Sequence, residues 1–281
     1  RTLHLGTATQ LGTRPMSTSG TFQNATIVDQ GSGIAFAGGT LSGVTYDGTL
    51  NLSSTSSYVY ITNGLTLAGA SGTGLGTINL TGQGAYIYAE GGQTLNNATL
   101  NIGNSNGYNY LYNYDPYGIA VLTLGASLTI NQVGTYAILD TSYYGRPASG
   151  IVNAGTINAG QSGGNFTIQG SGSFTNQGTI NVSNGTLSLT SSSWSNSGTI
   201  AVTGGTLDLQ GNGLTLAQLG AVTHSGGLVH RQTTLDDTGP TLTHGTGTGP
   251  GALTLPTPAP NHHATRPAQA PALDGGVAAT A

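Results

Sequence analysis

The most chemically distinctive stretch of this 281-residue sequence is Gly107-Tyr-Asn-Tyr-Leu-Tyr-Asn-Tyr-Asp-Pro-Tyr-Gly118. Tyr108, Tyr110, Tyr112 and Tyr114 alternate, so an extended strand would carry four phenols on one face, with Tyr117 just beyond it. Tyrosine suits recognition of sugars or proteins, because it offers a flat surface and a hydroxyl at small entropic cost. The same alternation also serves aromatic stacking between neighbouring strands, and the spacing leaves both readings open. Tyr58/Tyr60 and Tyr86/Tyr88 repeat the pattern around Val59 and Ile87, which are expected to point inward.

Acid–base chemistry has little material. Glycan cleavage needs two carboxylates about 5–9.5 Å apart. The central region offers Asp29, Asp47, Glu90, Asp115, Asp140 and Asp208. Asp115 and Asp140 stand one long repeat apart, so stacking would bring them together. Asp115-Pro116 reads more simply as a turn and Asp208 as an exposed strand residue. There is no lysine to serve as a base, and Arg146 is the one arginine well inside this region. No catalytic residue is therefore assigned. Asp236-Asp237 falls far short of a calcium ligand set, His262-His263 sits in a proline-rich tail, and there is no cysteine. No metal site and no cofactor are expected.

Composition excludes further classes. Charged residues make up 5%, against about 25% in a globular domain. Five scattered arginines cannot neutralise a run of phosphates, so no nucleic-acid partner is expected. No apolar run is long enough for a transmembrane helix. The N-terminus lacks both a methionine and an apolar signal segment, and the chain is expected to be a piece of something larger.

The elements that position these residues come from the repeats. Residues 174–189, FTNQGTINVSNGTLSL, and 194–209, WSNSGTIAVTGGTLDL, match at nine of sixteen positions. The shared positions include Asn176/Asn196, Gly178/Gly198, Ile180/Ile200 and Leu187/Leu207, and Asn153, Gly155 and Ile157 begin an earlier copy. Alternation of polar and β-branched or leucine residues between glycines is a strand signal. A unit of 20 to 23 residues with two or three short strands cannot bury its apolar side alone. The chain is therefore read as all-β, a parallel β-helix whose stacked coils share one core. Ile180, Val182, Leu187 and Leu189 should point inward and Trp194 should stack over Phe174. Asn153, Asn176 and Asn196 should form an amide ladder. Thr179/Thr199 and Thr186/Thr206 should form outward columns, broken by insertions near Gly163. About ten coils at about 4.8 Å each give a rod roughly 45–50 Å long. His230 falls near an expected inward leucine.

The pattern N-x-G-T-I-x-V-x-x-G-T-L-x-L, with Thr40–Leu52 and Ile61–Leu67, resembles the coils of bacterial surface adhesins of the autotransporter-passenger and filamentous-haemagglutinin-like type. That resemblance spans about residues 20–220. It implies a right-handed helix, an extracellular or cell-surface location, and a stalk or adhesive fibre. Residues 1–19 are expected to be a lead-in or cap, 20–238 the helix, and 239–281 a disordered Pro/Gly/His-containing tail. The expected function is non-enzymatic, multivalent adhesion to a host or matrix glycan or protein, or self-association. The alternatives are a β-helical polysaccharide lyase or hydrolase, and an ice-binding threonine array.

Overall fold

A computed structural model describes residues 1–7, 17–210, 214–231 and 235–236. The tail from residue 239, with His262 and His263, and Asp237 lie outside the described residues. Every strand pair among the described residues is parallel, and the strands stack into three long sheets.

The first sheet has 13 strands, ordered from Thr2–Leu5 through Thr26–Asp29, Ala35–Asp47, Tyr58–Ala68, Tyr86–Glu90, Asn109–Tyr114, Tyr136–Asp140, Asn165–Gln169, Thr186–Leu189 and Thr206–Leu209 to Leu228–Arg231. The second, of five strands, begins at Thr94–Leu95 and Val121–Leu124 and runs through Gly150–Asn153 and Ser173–Asn176 to Ser193–Asn196. The third, of eight, runs from Thr49–Leu52 and Gly76–Leu80 to Thr199–Val202 and Ala221–His224. Between Ala35 and Leu80 the chain alternates between the first and third sheets, and from Tyr86 to Val202 it visits all three in turn; each visit pairs with the last, which is a parallel β-helix. The eleven strands on the path of the first sheet span about 48 Å at about 4.8 Å per step.

The core follows from the alternation. Ile180, Val182, Leu187 and Leu189 are fully buried, as are Ile157, Ile200 and Leu207. Phe174 and Trp194 are in register and both buried. Each buried aliphatic side chain contributes roughly 1.5–3 kcal/mol. The glycines Gly155, Gly178 and Gly198 sit at a close approach between coils. A Cβ on Gly178 would collide with the Gly155 carbonyl oxygen, and one on Gly198 with that of Gly178. Gly185 instead supplies a left-handed turn at φ 65°.

Coil length is less uniform than the clean repeats suggest. Thr179 to Thr199 spans 20 residues and Thr156 to Thr179 spans 23, but Thr129 to Thr156 spans 27 and Thr99 to Thr129 spans 30. Part of the addition lies at the corner from the third sheet to the first, where residues 103–108 and 160–164 replace the three of 183–185, and the longest loop lies at the corner between the first and second sheets. There the regular coils use three residues, 170–172 and 190–192, whereas residues 115–120 and 141–149 make longer loops.

The inward position expected near His230 is taken otherwise. Val229 pairs with Leu207, His230 points outward beside Asp208, and Arg231 lies over Leu209 at 7% exposure. Burial lowers the pKa of its guanidinium.

Candidate functional site

The tyrosines occupy the outer side of the first sheet. Register places Tyr58, Tyr86 and Tyr110 in one column and Tyr60, Tyr88 and Tyr112 in the next. Between them Val59, Ile87 and Leu111 point inward and are fully buried. The rings stack along and across the strands. Tyr60 and Tyr88 lie 4.7 Å apart at 18°, Tyr88 and Tyr112 5.2 Å apart at 7°, and Tyr110 and Tyr112 4.7 Å apart at 4°. Tyr108 packs on Tyr110 and Tyr136. Tyr143 stands edge-on to Tyr112 at 5.0 Å, and Tyr144 bonds its hydroxyl to that of Tyr114. Eleven of the thirteen tyrosines thus join one continuous face. The exceptions are Tyr46, which is buried and donates to Asp29 Oδ2 at 2.6 Å, and Tyr117, which is 86% exposed on the corner loop. Tyr117 makes no ring contact with the other four tyrosines of its segment.

Stacking between coils and outward presentation are therefore the same arrangement. Each close aromatic pair adds about 0.5–1.5 kcal/mol beyond its area, and the outer ring surfaces still face solvent. Crowding raises the pKa of five of these phenols, Tyr60, Tyr88, Tyr110, Tyr112 and Tyr114. Burial first, then neighbouring tyrosines, pushes Tyr88 up to about 12, and burial followed by Tyr110 raises Tyr112 further. Tyr114 is raised by its hydrogen bond to Tyr144. At neutral pH the face presents uncharged donors and acceptors.

Asn113, between Tyr112 and Tyr114, holds the face to the corner. Its side chain points inward, fully buried, and Nδ2 donates to the carbonyls of Gly150 at 2.8 Å, Ala120 at 3.0 Å and Thr141 at 3.2 Å. One amide thus ties both long corner loops to the tyrosine strand. The readable signal was an asparagine where the alternation demands an aliphatic.

The carboxylates are mostly structural. The Asp115 carboxylate is buried and accepts the backbone N–H groups of Tyr117 and Ala120. Burial acts to raise its pKa, but the backbone donors of residues 117–120 outweigh it and hold the group low. Asp140 sits opposite Tyr112 rather than Asp115, and accepts from Ser142 N–H and Gln169 Nε2. Asp29 caps the Gly31–Ser32 turn, and Asp208 meets His230 Nδ1 at 3.1 Å. The spacing Gly160-Gln-Ser-Gly-Gly164 matches a nucleophile elbow. Ser162 nevertheless lies exposed on a strand-to-strand turn, and its hydroxyl makes no hydrogen bond among the described residues. No group of three or more His, Asp or Glu gathers as metal ligands among the described residues, and no described helix is long and apolar enough to cross a membrane.

The third sheet carries a second regular surface. Thr49, Thr77, Thr99, Thr129, Thr156, Thr179 and Thr199 form one outward column through seven successive coils. Beside it run Asn51, Asn79, Asn101, Asn131, Asn158 and Asn181. Amide bonds link Asn79 to Asn101 at 2.9 Å, and Asn131 to Asn158 and Asn158 to Asn181 at 2.8 Å. The expectation of short, interrupted threonine columns is corrected here, because the insertions lie at corners and leave this sheet in register. The shorter column holds only on the first sheet, where Thr186 and Thr206 are flanked by Asn165 and Leu228.

The inner ladder forms as the repeats imply. Asn153 Nδ2 donates to Asn176 Oδ1 and Asn176 Nδ2 to Asn196 Oδ1, both at 2.7 Å. Asn196 Nδ2 ends the chain on the carbonyls of Leu219 and Ala221.

Comparison with known family models, curated proteins and solved structures gives no match.

Proposed function

We propose that this β-helix is a non-enzymatic, adhesive segment of a bacterial surface or secreted protein. It would work through the tyrosine face, held rigid by stacked coils. The observation that carries the reading is the eleven-tyrosine surface itself, uncharged at neutral pH and outward on a rigid sheet, with rings stacked on one another along and across the strands. Flat phenols with fixed hydroxyls suit sugars and protein surfaces. Repetition along the rod turns weak contacts into avidity. The engagement of Asp29, Asp115, Asp140 and Asp208 in turns, caps and pairs favours adhesion over glycan cleavage.

The test is retention of the chain on matrix polysaccharides and matrix proteins, with product ends assayed in the same reaction. Retention without new reducing or unsaturated sugar ends, lost on replacing Tyr108, Tyr110 and Tyr112 by Ala, supports adhesion. Release of product moves the assignment to a glycan-active enzyme. Retention that survives the triple replacement removes the tyrosine face from the account.

The unbroken threonine and asparagine columns favour a second reading, binding to an ordered lattice such as ice. Threonine is stiff at χ1, so the column holds its methyls and hydroxyls at a fixed repeat. Ice-recrystallisation inhibition, abolished by Thr129→Tyr and Thr156→Tyr, tests it.

A further inference from the structure

A cleft opens where the coils differ in corner length. The six-residue corner 115–120 overhangs the three-residue corner 91–93 of the coil before it. The space beneath is about 790 Å³, walled by Glu90, Gln93, Asn63, Thr66 and Tyr117. A second hollow of about 610 Å³ continues from it past Ile119. Glu90 is the one charged residue lining the first space. Its carboxylate makes no hydrogen bond or ion pair among the described residues. Asp115 is the one charged residue lining the second, and backbone N–H groups already engage it. No arginine or histidine lines either space. Tyr117 stands 86% exposed over the opening, its backbone N–H fixed at 3.0 Å by Asp115 Oδ1. Glu90 also faces the tyrosine sheet. It is in register with Tyr114, and its charge adds to the field that raises Tyr60, after burial, Tyr58, Tyr143 and Tyr144.

We infer that this cleft is a binding site for an arginine side chain of a basic peptide segment on a partner protein. An unpaired carboxylate beside an exposed ring calls for a cation that is also flat. A guanidinium stacks on an aromatic face and forks two N–H bonds to a carboxylate, which an ammonium does not. The wall amides of Gln93 and Asn63 are held by Gly64, the Glu90 carbonyl and Ser42 and so fix the shape of the cleft, and the second hollow takes the neighbouring residue. The inference deepens the adhesive reading and rests on it for its biological meaning, but the site stands on its own geometry.

The experiment titrates the full chain with acetyl-Arg-Gly-Arg amide. The controls are the Lys-Gly-Lys and Glu-Gly-Glu peptides and a glucosamine trimer, and the readout is the NMR shifts of the Gly91 and Gly92 amides. The arginine peptide should bind best and the glutamate peptide should not bind. Tyr117→Ala should weaken the arginine peptide about two- to fivefold, and Glu90→Gln about two- to fivefold at low salt with a flattened salt dependence. Both residues are at the surface, so folding is preserved. The inference is overturned if Glu90→Gln leaves affinity and salt dependence unchanged, if Glu-Gly-Glu binds as tightly, or if the glucosamine trimer is preferred. Loss of the arginine site with tyrosine-dependent retention intact removes the cleft and leaves adhesion standing. Loss of retention with arginine binding intact does the reverse.

Discussion

Asn176 is the middle rung of the buried ladder, and its replacement separates burial from mere repetition. Its amide accepts from Asn153 and donates to Asn196, both at 2.7 Å, and the residue is 1% exposed. Asn176→Ala removes both ladder bonds, together with the longer bonds of Nδ2 to the Gly178 and Thr199 carbonyls at 3.3 Å, and leaves Asn196 Oδ1 without its donor. A lost bond costs about 0.5–1.5 kcal/mol and an orphaned buried acceptor about 1–3 kcal/mol, so loss of the two ladder bonds with one orphan should destabilise by about 2–6 kcal/mol. Asn181 sits half-exposed in the outer ladder, bonded to Asn158 at 2.8 Å. Water replaces that partner, so Asn181→Ala should cost no more than about 0.5 kcal/mol. The triple variant Asn153→Ala/Asn176→Ala/Asn196→Ala loses each ladder bond once and orphans no ladder amide. The three single changes count each bond twice and add orphans. The triple should therefore fall at least about 2 kcal/mol short of the sum of the singles. Guanidinium unfolding read by Trp194 emission is the assay, since Trp194 is buried on the strand that carries Asn196. Equal costs for Asn176→Ala and Asn181→Ala, or a triple equal to the sum, would refute the reasoning.

Other consequences are direct. Gly178→Ala pushes a methyl into the Gly155 carbonyl, and should cost about 1–3 kcal/mol or more by chemical unfolding. Asn113→Ala removes the amide that joins both corner loops, and should raise proteolytic nicking at residues 115–120 and 141–149 while leaving cleavage elsewhere unchanged. Tyr88 is raised to about 12, so its folded form holds the proton more tightly than the unfolded form. The stability it contributes is complete below the ordinary phenol range and is lost as pH climbs from about 10 towards 12. Ultraviolet titration should show late-ionising phenols that become ordinary in denaturant. Asp115 behaves oppositely. Its lowered pKa contributes stability above the ordinary carboxylate range, which is lost as pH falls through the folded value, and Asp115→Asn should remove that acid sensitivity of the loop.

Much of the fold was legible where the repeat was clean. Asn176/Asn196, Ile180/Ile200 and Leu187/Leu207 predicted inward and ladder positions that the registers reproduce. The irregular coils between Thr49 and Thr156 were less legible, because insertions at corners change the sequence interval without changing strand register. That hid the full threonine column, and it left Asp115 and Asp140 as candidates for stacking when register sets Tyr112 opposite Asp140. The alternation of tyrosines was visible within one strand. Their assembly into a face was not, since it depends on Tyr60, Tyr88 and Tyr112 falling in register, and on Tyr143 and Tyr144 returning from a loop. The cleft at Glu90 needs two corners of unequal length, which no local pattern records.

The tyrosine face exists only if the coils stack in this register, and the absence of cysteine allows a direct measurement. Paired positions on adjacent parallel strands lie about 4.8 Å apart, within disulfide reach, whereas a shift of two residues gives about 8 Å, beyond it. Under mild oxidation Tyr60→Cys/Tyr88→Cys should cross-link and Tyr60→Cys/Tyr86→Cys should not. Cross-linking of the second pair in preference to the first, or of neither, would contradict the account.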